Sequence, residues 1–267
     1  MVAALRGRAT ARAEPICNDP WAAALAGTDG LDYAAEYDRA FPDVELWIAA
    51  RTAMLDTEVR TRIGDGFTQV VLLGAGLDTR AARLAANGVR FFEVDQPASQ
   101  SDKRARVARL ADYPRDAATY VSCDFEREDF LDRLVASGFD VGKPAVFVWE
   151  GVTYYLPEEA VAATLSRVAQ GCEGRSVISF DIVRKRFATG TIDDTADVAA
   201  RDRVAEMGEP LRFGTNDVVP LVYAAGFRQV SVQSFDEITL NLTGTYGRER
   251  KFRFQSLVRA SVRTPLM

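Results

Sequence analysis

Between residues 69 and 180, short apolar runs alternate with longer amphipathic stretches. The runs at 69–73 (QVVLL), 89–94 (VRFFEV), 118–122 (ATYVS), 144–149 (PAVFVW) and 176–180 (SVISF) are rich in Val, Ile, Phe or Tyr and predict strands. Most are nearly continuous in apolar residues, as expected of strands covered on both faces. Helical patterns separate them at 79–86, 97–111, 128–137 and 157–170, with Pro97 and Pro157 where a first turn accepts proline. This alternation implies an α/β fold with a doubly wound, mostly parallel sheet.

Two further strands are expected at 228–235 and 252–261. A helix at 215–225 precedes the first, with Thr215 or Asn216 as its N-cap and Gly226 closing it. Residues 236–251 show no clear helix. A hairpin-like return is therefore expected, making the last of seven strands antiparallel to its neighbour. The organisation splits into 1–66 and 67–267. Residues 1–14 read as a mobile, Arg-rich arm; 15–66 read as helices, with a long pattern over 43–63 ended by Gly64-Asp65-Gly66. Residues 184–214 interrupt the core as a charged, helix-prone insertion. It is placed either to cover an active site as a lid or to run over the surface.

Composition narrows the chemistry. The 267 residues include no histidine, which excludes a Ser-His-Asp triad, a Cys-His dyad and imidazole metal ligands. Cys17, Cys123 and Cys172 are too scattered for a zinc site, so no metal is expected, and their odd number fits a reducing, cytoplasmic compartment. The net charge of −5 argues against a nucleic-acid partner. No run approaches the ~18 apolar residues that span a bilayer, so no membrane is expected. No feature encodes the oligomeric state.

The most informative stretch is VVLLGAGLDTR, residues 70–80. A strand runs into Gly74-Ala75-Gly76 and then a helix; glycines there let the backbone approach a ligand closely. Asp95 closes the next strand, where an acid can accept hydrogen bonds from ribose hydroxyls. Together these define an adenosine-type site. Thr79 stands where a dinucleotide fingerprint wants its third glycine, which disfavours NAD, and no Tyr-x-x-x-Lys is present. Gly142-Lys143-Pro144 lacks the Ser/Thr of a phosphate-binding loop. S-adenosyl-L-methionine, a nucleoside without phosphates, fits best.

The combination GAGLDTR, FFEVDQP, CDF and WEGVTYYL, in this order, resembles the leucine carboxyl methyltransferase family from about Cys17 onward. The resemblance implies a class I, Rossmann-like methyltransferase that converts S-adenosyl-L-methionine to S-adenosyl-L-homocysteine. It implies that Arg51 in AARTAML holds the methionine carboxylate and that Gly74, with Ala75 and Gly76, adjoins the methionine part. Asp95, with Gln96 beside it, takes the ribose, Asp124 and Phe125 recognise adenine, and Glu150 lies near the methionine amino group. On the residues alone, Arg51 reads better as an exposed helix charge, and Glu150 reads almost as well as a helix N-terminal acid. Asp78 and Arg80 are expected to brace the loop.

Trp149, Tyr154 and Tyr155, with Tyr246 and Arg248 of GTYGRER, are candidates for an acceptor pocket, although aromatics after a strand also serve as core. No catalytic residue is assigned, since methyl transfer needs chiefly alignment and exclusion of water. A carboxylate acceptor arrives ionised, whereas a phenol or amine benefits from a base. The expected reaction is carboxyl O-methylation of a small, secondary-metabolite-type acid by a bacterial enzyme. The alternatives are O-methylation of a phenol or hydroxyl, methylation of a protein C-terminal carboxyl, and a cofactor-binding regulatory protein without turnover.

Overall fold

The computed structural model describes residues 1–40, 44–125, 127–172, 175–190, 210–244 and 254–262, with a few single positions between 198 and 206. Its centre is a seven-stranded sheet in the order β3-β2-β1-β4-β5-β7-β6. The strands are β1 (Gln69–Leu73), β2 (Arg90–Asp95), β3 (Thr119–Ser122), β4 (Ala145–Trp149), β5 (Ser176–Val183), β6 (Gln229–Ser234) and β7 (Gln255–Ser261). The first five pair in parallel, and β7 lies antiparallel to both β5 and β6. The doubly wound sheet and the antiparallel last strand are as the sequence pattern predicts. Every residue of β1, β4 and β5 is buried, which explains their unbroken apolar runs.

The helices are α1 (Val2–Thr10), α2 (Ala22–Ala40), α3 (Val44–Gly64), α4 (Arg80–Arg83), α5 (Pro97–Val107), α6 (Phe130–Ala136), α7 (Glu158–Gly171), α8 (Lys185–Thr189), α9 (Val219–Ala225) and α10 (Phe235–Thr243). A 3₁₀ turn over Thr153–Tyr155 follows β4. One core layer packs Phe92, Phe147, Trp149 and Phe180 against α6, α7 and α9. The other face carries Val70, Leu72, Val146 and Val148 against Leu55 and Val59 of α3. Parallel strands leave all their carboxyl ends on one side, where the loops after β1, β2, β3 and β4 gather.

Three expectations need correction. Residues 1–14 are not a loose arm: α1 is packed, with Ala3, Ala4, Leu5, Gly7 and Ala9 buried. Its apolar positions are small, so its periodicity is faint, and its buried Arg6 is neutralised by Asp19 at 2.9 Å. Residues 235–243 form a helix where none was expected. Ser234 caps it, its hydroxyl accepting from the Glu237 N–H while the Glu237 carboxylate accepts from the Ser234 N–H. Helix α9 begins later than expected, after Val218 rather than Thr215 or Asn216, because Thr215 closes its own turn with Asp217. Gly226 does end it, in the left-handed conformation. The insertion at 184–214 begins as α8, and most of 191–209 lies outside the described residues.

Helices α1 and α2 touch at Gly7, where an added Cβ would stand 2.7 Å from the Ala23 backbone nitrogen. Gly7→Ala is therefore expected to push the helices apart and destabilise the protein by about 1–3 kcal/mol in urea unfolding. A loose arm would make the substitution silent.

Candidate active site

Strand β1 ends in a loop whose shape depends on two glycines. Gly74 has φ 66° and an added Cβ there would lie 2.6 Å from Val152 Cγ2, so the two loops after β1 and β4 close on each other only with glycine. Gly76 has φ 47°, and a Cβ built on it would meet nothing within 4 Å. That space is open for a ligand to lie against the backbone. The Gly74 and Ala75 N–H groups donate to the Val94 carbonyl at 2.8 and 3.2 Å, fastening the loop to the end of β2. Asp95 completes the attachment: its carboxylate accepts from the Gly76 N–H at 2.5 Å and the Gln96 N–H at 2.7 Å. Asp124 and Phe125 follow at the end of β3, beside Asp95, whose carbonyl accepts from the Cys123 N–H at 2.8 Å. Asp95, Asp124 and Phe125 are partly exposed and Gln96 is exposed.

Beneath the loop runs a buried network of arginines and carboxylates. Arg80, 1% exposed, donates through Nε to Asp56 at 2.8 Å and through Nη1 to Asp78 and Glu150. Arg51 donates through Nε to Glu150 at 2.8 Å and through Nη1 to Asp181 at 2.7 Å, and its guanidinium lies 4.3 Å over the Trp47 ring. Arg83 pairs with Asp56, and Asp19 joins Arg83 to Arg6. Arg6 also donates to the Leu77 carbonyl at 2.6 Å, so α1 is hooked to the glycine loop. Asp181 accepts from the Gly151 N–H at 2.7 Å, which holds the turn after Glu150, where φ is 71°.

The ion pairs set the proton affinities. Burial alone would push the Glu150 carboxyl up, but the Arg80 and Arg51 guanidiniums prevail and hold it below its ordinary value. Arg80 does the same for Asp78 against its own burial. Burial pushes Asp181 up, with Arg51 and the Gly151 N–H opposing. Burial, aided by Asp181, raises the Tyr154 phenol well above its usual value despite Arg51. Burial raises Glu93 to about 7, with its partner Lys103 opposing.

A cavity of about 330 Å³ opens over this network. Its floor is the Gly74–Asp78 loop with Arg51 and Glu150; its walls include Tyr37, Trp47, Tyr154, Tyr155 and Phe187. Of the predicted site residues, the structure brings Arg51, Gly74, Ala75, Gly76, Glu150, Tyr154 and Tyr155 to one cavity. Asp95, Gln96, Asp124 and Phe125 continue along the strand ends outside it. Arg51 is no exposed helix charge: it is 2% exposed.

Trp149 does not belong to the pocket. It is fully buried against Phe180 on the other face of the sheet, because side chains alternate and its neighbour Val148 points to the cavity. Tyr246 and Arg248 lie outside the described residues. Residues not singled out in the sequence include Arg6, Trp47, Asp181 and the pair Tyr33 and Tyr37. The four-residue spacings Tyr33/Tyr37 and Trp47/Arg51 each mark one helix face, which is the signal that could have found them. Among the described residues no cluster of Cys, Asp and Glu could hold a metal, and no helix is long and apolar enough to cross a membrane.

Comparison with known proteins gives the family. The leucine carboxyl methyltransferase signature matches residues 1–169. The chain belongs to this family. It is 34% identical over 209 residues to a putative S-adenosyl-L-methionine-dependent methyltransferase of Streptomyces coelicolor, covering 73% of each chain. It is 31% identical over 265 residues to one of Mycolicibacterium paratuberculosis, covering 87% of this chain and 82% of the relative. Among solved structures, a DUF574 family protein from Streptomyces avermitilis superposes with a TM-score of 0.65 at 15% identity, over 97% of this chain and 96% of that one. A putative methyltransferase from Thermobifida fusca gives 0.62 at 15% identity, over 97% and 94%. This methyltransferase therefore shares their fold along almost its whole described length.

Two outcomes follow from the ion pairs. Arg80→Met leaves the buried Asp78 without its ion-pair partner and takes one of two guanidiniums from Asp56 and from Glu150, and is expected to destabilise the fold by about 3–5 kcal/mol in urea unfolding. Asp78 and Glu150 titrate below their ordinary values when folded, so their contribution to stability is full above the usual carboxyl range of about 4 and is lost as pH falls through the depressed values. Melting temperatures stepped from neutral pH into acid should fall across that range; a flat profile contradicts the assignment.

Proposed function

We propose that this methyltransferase esterifies the carboxylate of a small organic acid, with S-adenosyl-L-methionine as methyl donor. The donor is the one its relatives are named for, and the residues fit it. The Gly76 backbone faces open space that a side chain would fill, and Asp95 stands at the end of β2 with both oxygens fixed by backbone amides. When bound, the cofactor supplies an electrophilic methyl group on a sulfonium.

The chain's own residues then have stated tasks. Asp95 accepts from the ribose, with Gln96 beside it; Asp124 and Phe125 take the adenine at the end of β3. Gly74, Ala75 and Gly76 run against the methionine part. Glu150 faces the ammonium. Arg51 holds the methionine carboxylate, but not with its full fork: Nε and Nη1 are engaged by Glu150 and Asp181, and Nη2 makes no hydrogen bond to a described residue. The contact therefore falls to Nη2, while the two carboxylates fix the plane of the guanidinium.

The observation that favours a carboxylate acceptor is the state of the titratable groups at the cavity. Glu150 and Asp78 are bound to arginine and depressed, and the Tyr154 phenol is raised. None of the three is a proton acceptor poised near neutrality, and the chain has no histidine. An acceptor that arrives ionised needs no such base, and a carboxyl with an ordinary pKa near 4 does so. The apolar and aromatic walls suit a hydrophobic acid.

Mass spectrometry of reaction mixtures with a library of carboxylic acids should show products heavier by one methylene that revert to the acid in mild base. A base-stable methylated phenol or amine as the sole product overturns the proposal. Asp95→Ala should weaken cofactor binding by at least ~1 kcal/mol in calorimetry; unchanged affinity removes Asp95 from the site.

A further inference from the structure

Strand order divides the site. The loop after β1 carries Gly74 and Gly76, the end of β2 carries Asp95, and the turn after β4 carries Glu150. The cavity extends beyond these, to the ends of β5 and β7, where no residue has yet been given a task. Val183 ends β5, and opposite it in the antiparallel register stands Gln255, the first residue of β7. The preceding Phe254 stacks on Phe187 of α8, ring centroids 3.8 Å apart and planes 7° apart. This is a flat apolar wall with one polar side chain set beside it.

Gln255 is 7% exposed and lines the cavity, yet its side-chain oxygen has no hydrogen-bond partner among the described residues. It is the only such buried atom among the described residues that line the cavity. The charged groups there are all engaged: Arg6 by Asp19 and Leu77, Arg51 by Glu150 and Asp181, Asp78 by Arg80. A buried amide left unpaired is a net loss to folding, so a hydrophobic residue would serve the fold better at this position.

We infer that Gln255 is a specificity residue of the methyl-acceptor site, and that the acceptor is a hydrophobic acid carrying a hydroxyl group remote from its carboxylate. The aromatic wall of Phe187 and Phe254 receives the apolar body. The hydroxyl meets the carboxamide; because a hydroxyl both donates and accepts, it satisfies the amide whichever way its oxygen and nitrogen are turned. A site built this way discriminates against the analogue lacking the hydroxyl, since that analogue leaves the buried amide unpaired. The inference rests on the proposed function in placing the acceptor in this cavity.

The test compares wild type with Gln255→Leu. Calorimetry in the presence of S-adenosylhomocysteine measures affinity for cinnamic, phenylpropionic and benzoic acids, each with and without a ring hydroxyl, together with uncharged phenols as controls. Wild type should prefer at least one hydroxylated partner by about tenfold or more, and Gln255→Leu should remove that preference while keeping or improving affinity for the plain acid. Equal preference ratios in the two proteins overturn the inference. The ligand-free variant should also melt at a higher temperature, because an unpaired buried amide has been replaced by an apolar group. A lower melting temperature shows that Gln255 supports the fold instead, and overturns the inference even where no compound in the panel binds. Failure of the carboxylate proposal reads separately: uncharged phenols would bind as well as the acids, and no base-labile ester would form.

Discussion

The guanidinium of Arg80 is the point on which the site is built. It lies at the first turn of α4, buried, with Asp56 of α3, Asp78 of the glycine loop and Glu150 after β4 all within hydrogen-bond reach. Three elements far apart in sequence are thereby brought to one cation. Isolated, any of these charges would be strongly unfavourable in the interior; paired with one another, they form a polar floor. The floor extends sideways through Arg51 to Asp181 and through Arg83 and Asp19 to Arg6. Helices α1 and α3, which lie outside the sheet, are thus registered to the strand ends by charge as well as by packing.

This arrangement separates two tasks that one residue often shares. The carboxylates that face the cavity are neutralised from behind, so they can orient a ligand without titrating. The reaction proposed needs orientation and exclusion of water more than proton transfer, and the protein supplies those. Its lack of histidine is consistent with that division, although the glycine loop, Asp95 and the family relationship are what support methyl transfer.

The parallel strands were legible because strands buried on both faces are nearly unbroken apolar runs, and β1 falls on the predicted boundaries. The glycine loop was legible because positive φ at Gly74 and Gly76 restricts those positions to one residue type. Other features depend on partners distant in sequence. Arg6 in α1 looks like a solvated charge until Asp19 is beside it, and Arg51 looks the same until Glu150 and Asp181 close on it. Trp149 departs from expectation for a different reason: an aromatic at the end of the fourth strand suits an acceptor pocket, but the two-residue period of the strand turns it to the opposite face. Helix α10 is signalled by Ser234 and Glu237 at capping-box spacing, a short local pattern inside a stretch with no clear helical periodicity over 236–251. Gln255 carries no sequence signal, since only the surrounding structure shows that its oxygen lacks a partner.

The position of β7 bears on how the protein is made. It is the last of the described strands in sequence but the sixth across the sheet, lying between β5 and β6. Until residues 255–261 have left the ribosome, β6 has no strand to join, and β5 presents an open edge. The nucleotide half, β1 to β4, can assemble during synthesis, while the wall that carries Phe254 and Gln255 forms only when this strand is threaded into its slot. A nascent chain thus carries its complete glycine loop before the second wall can form.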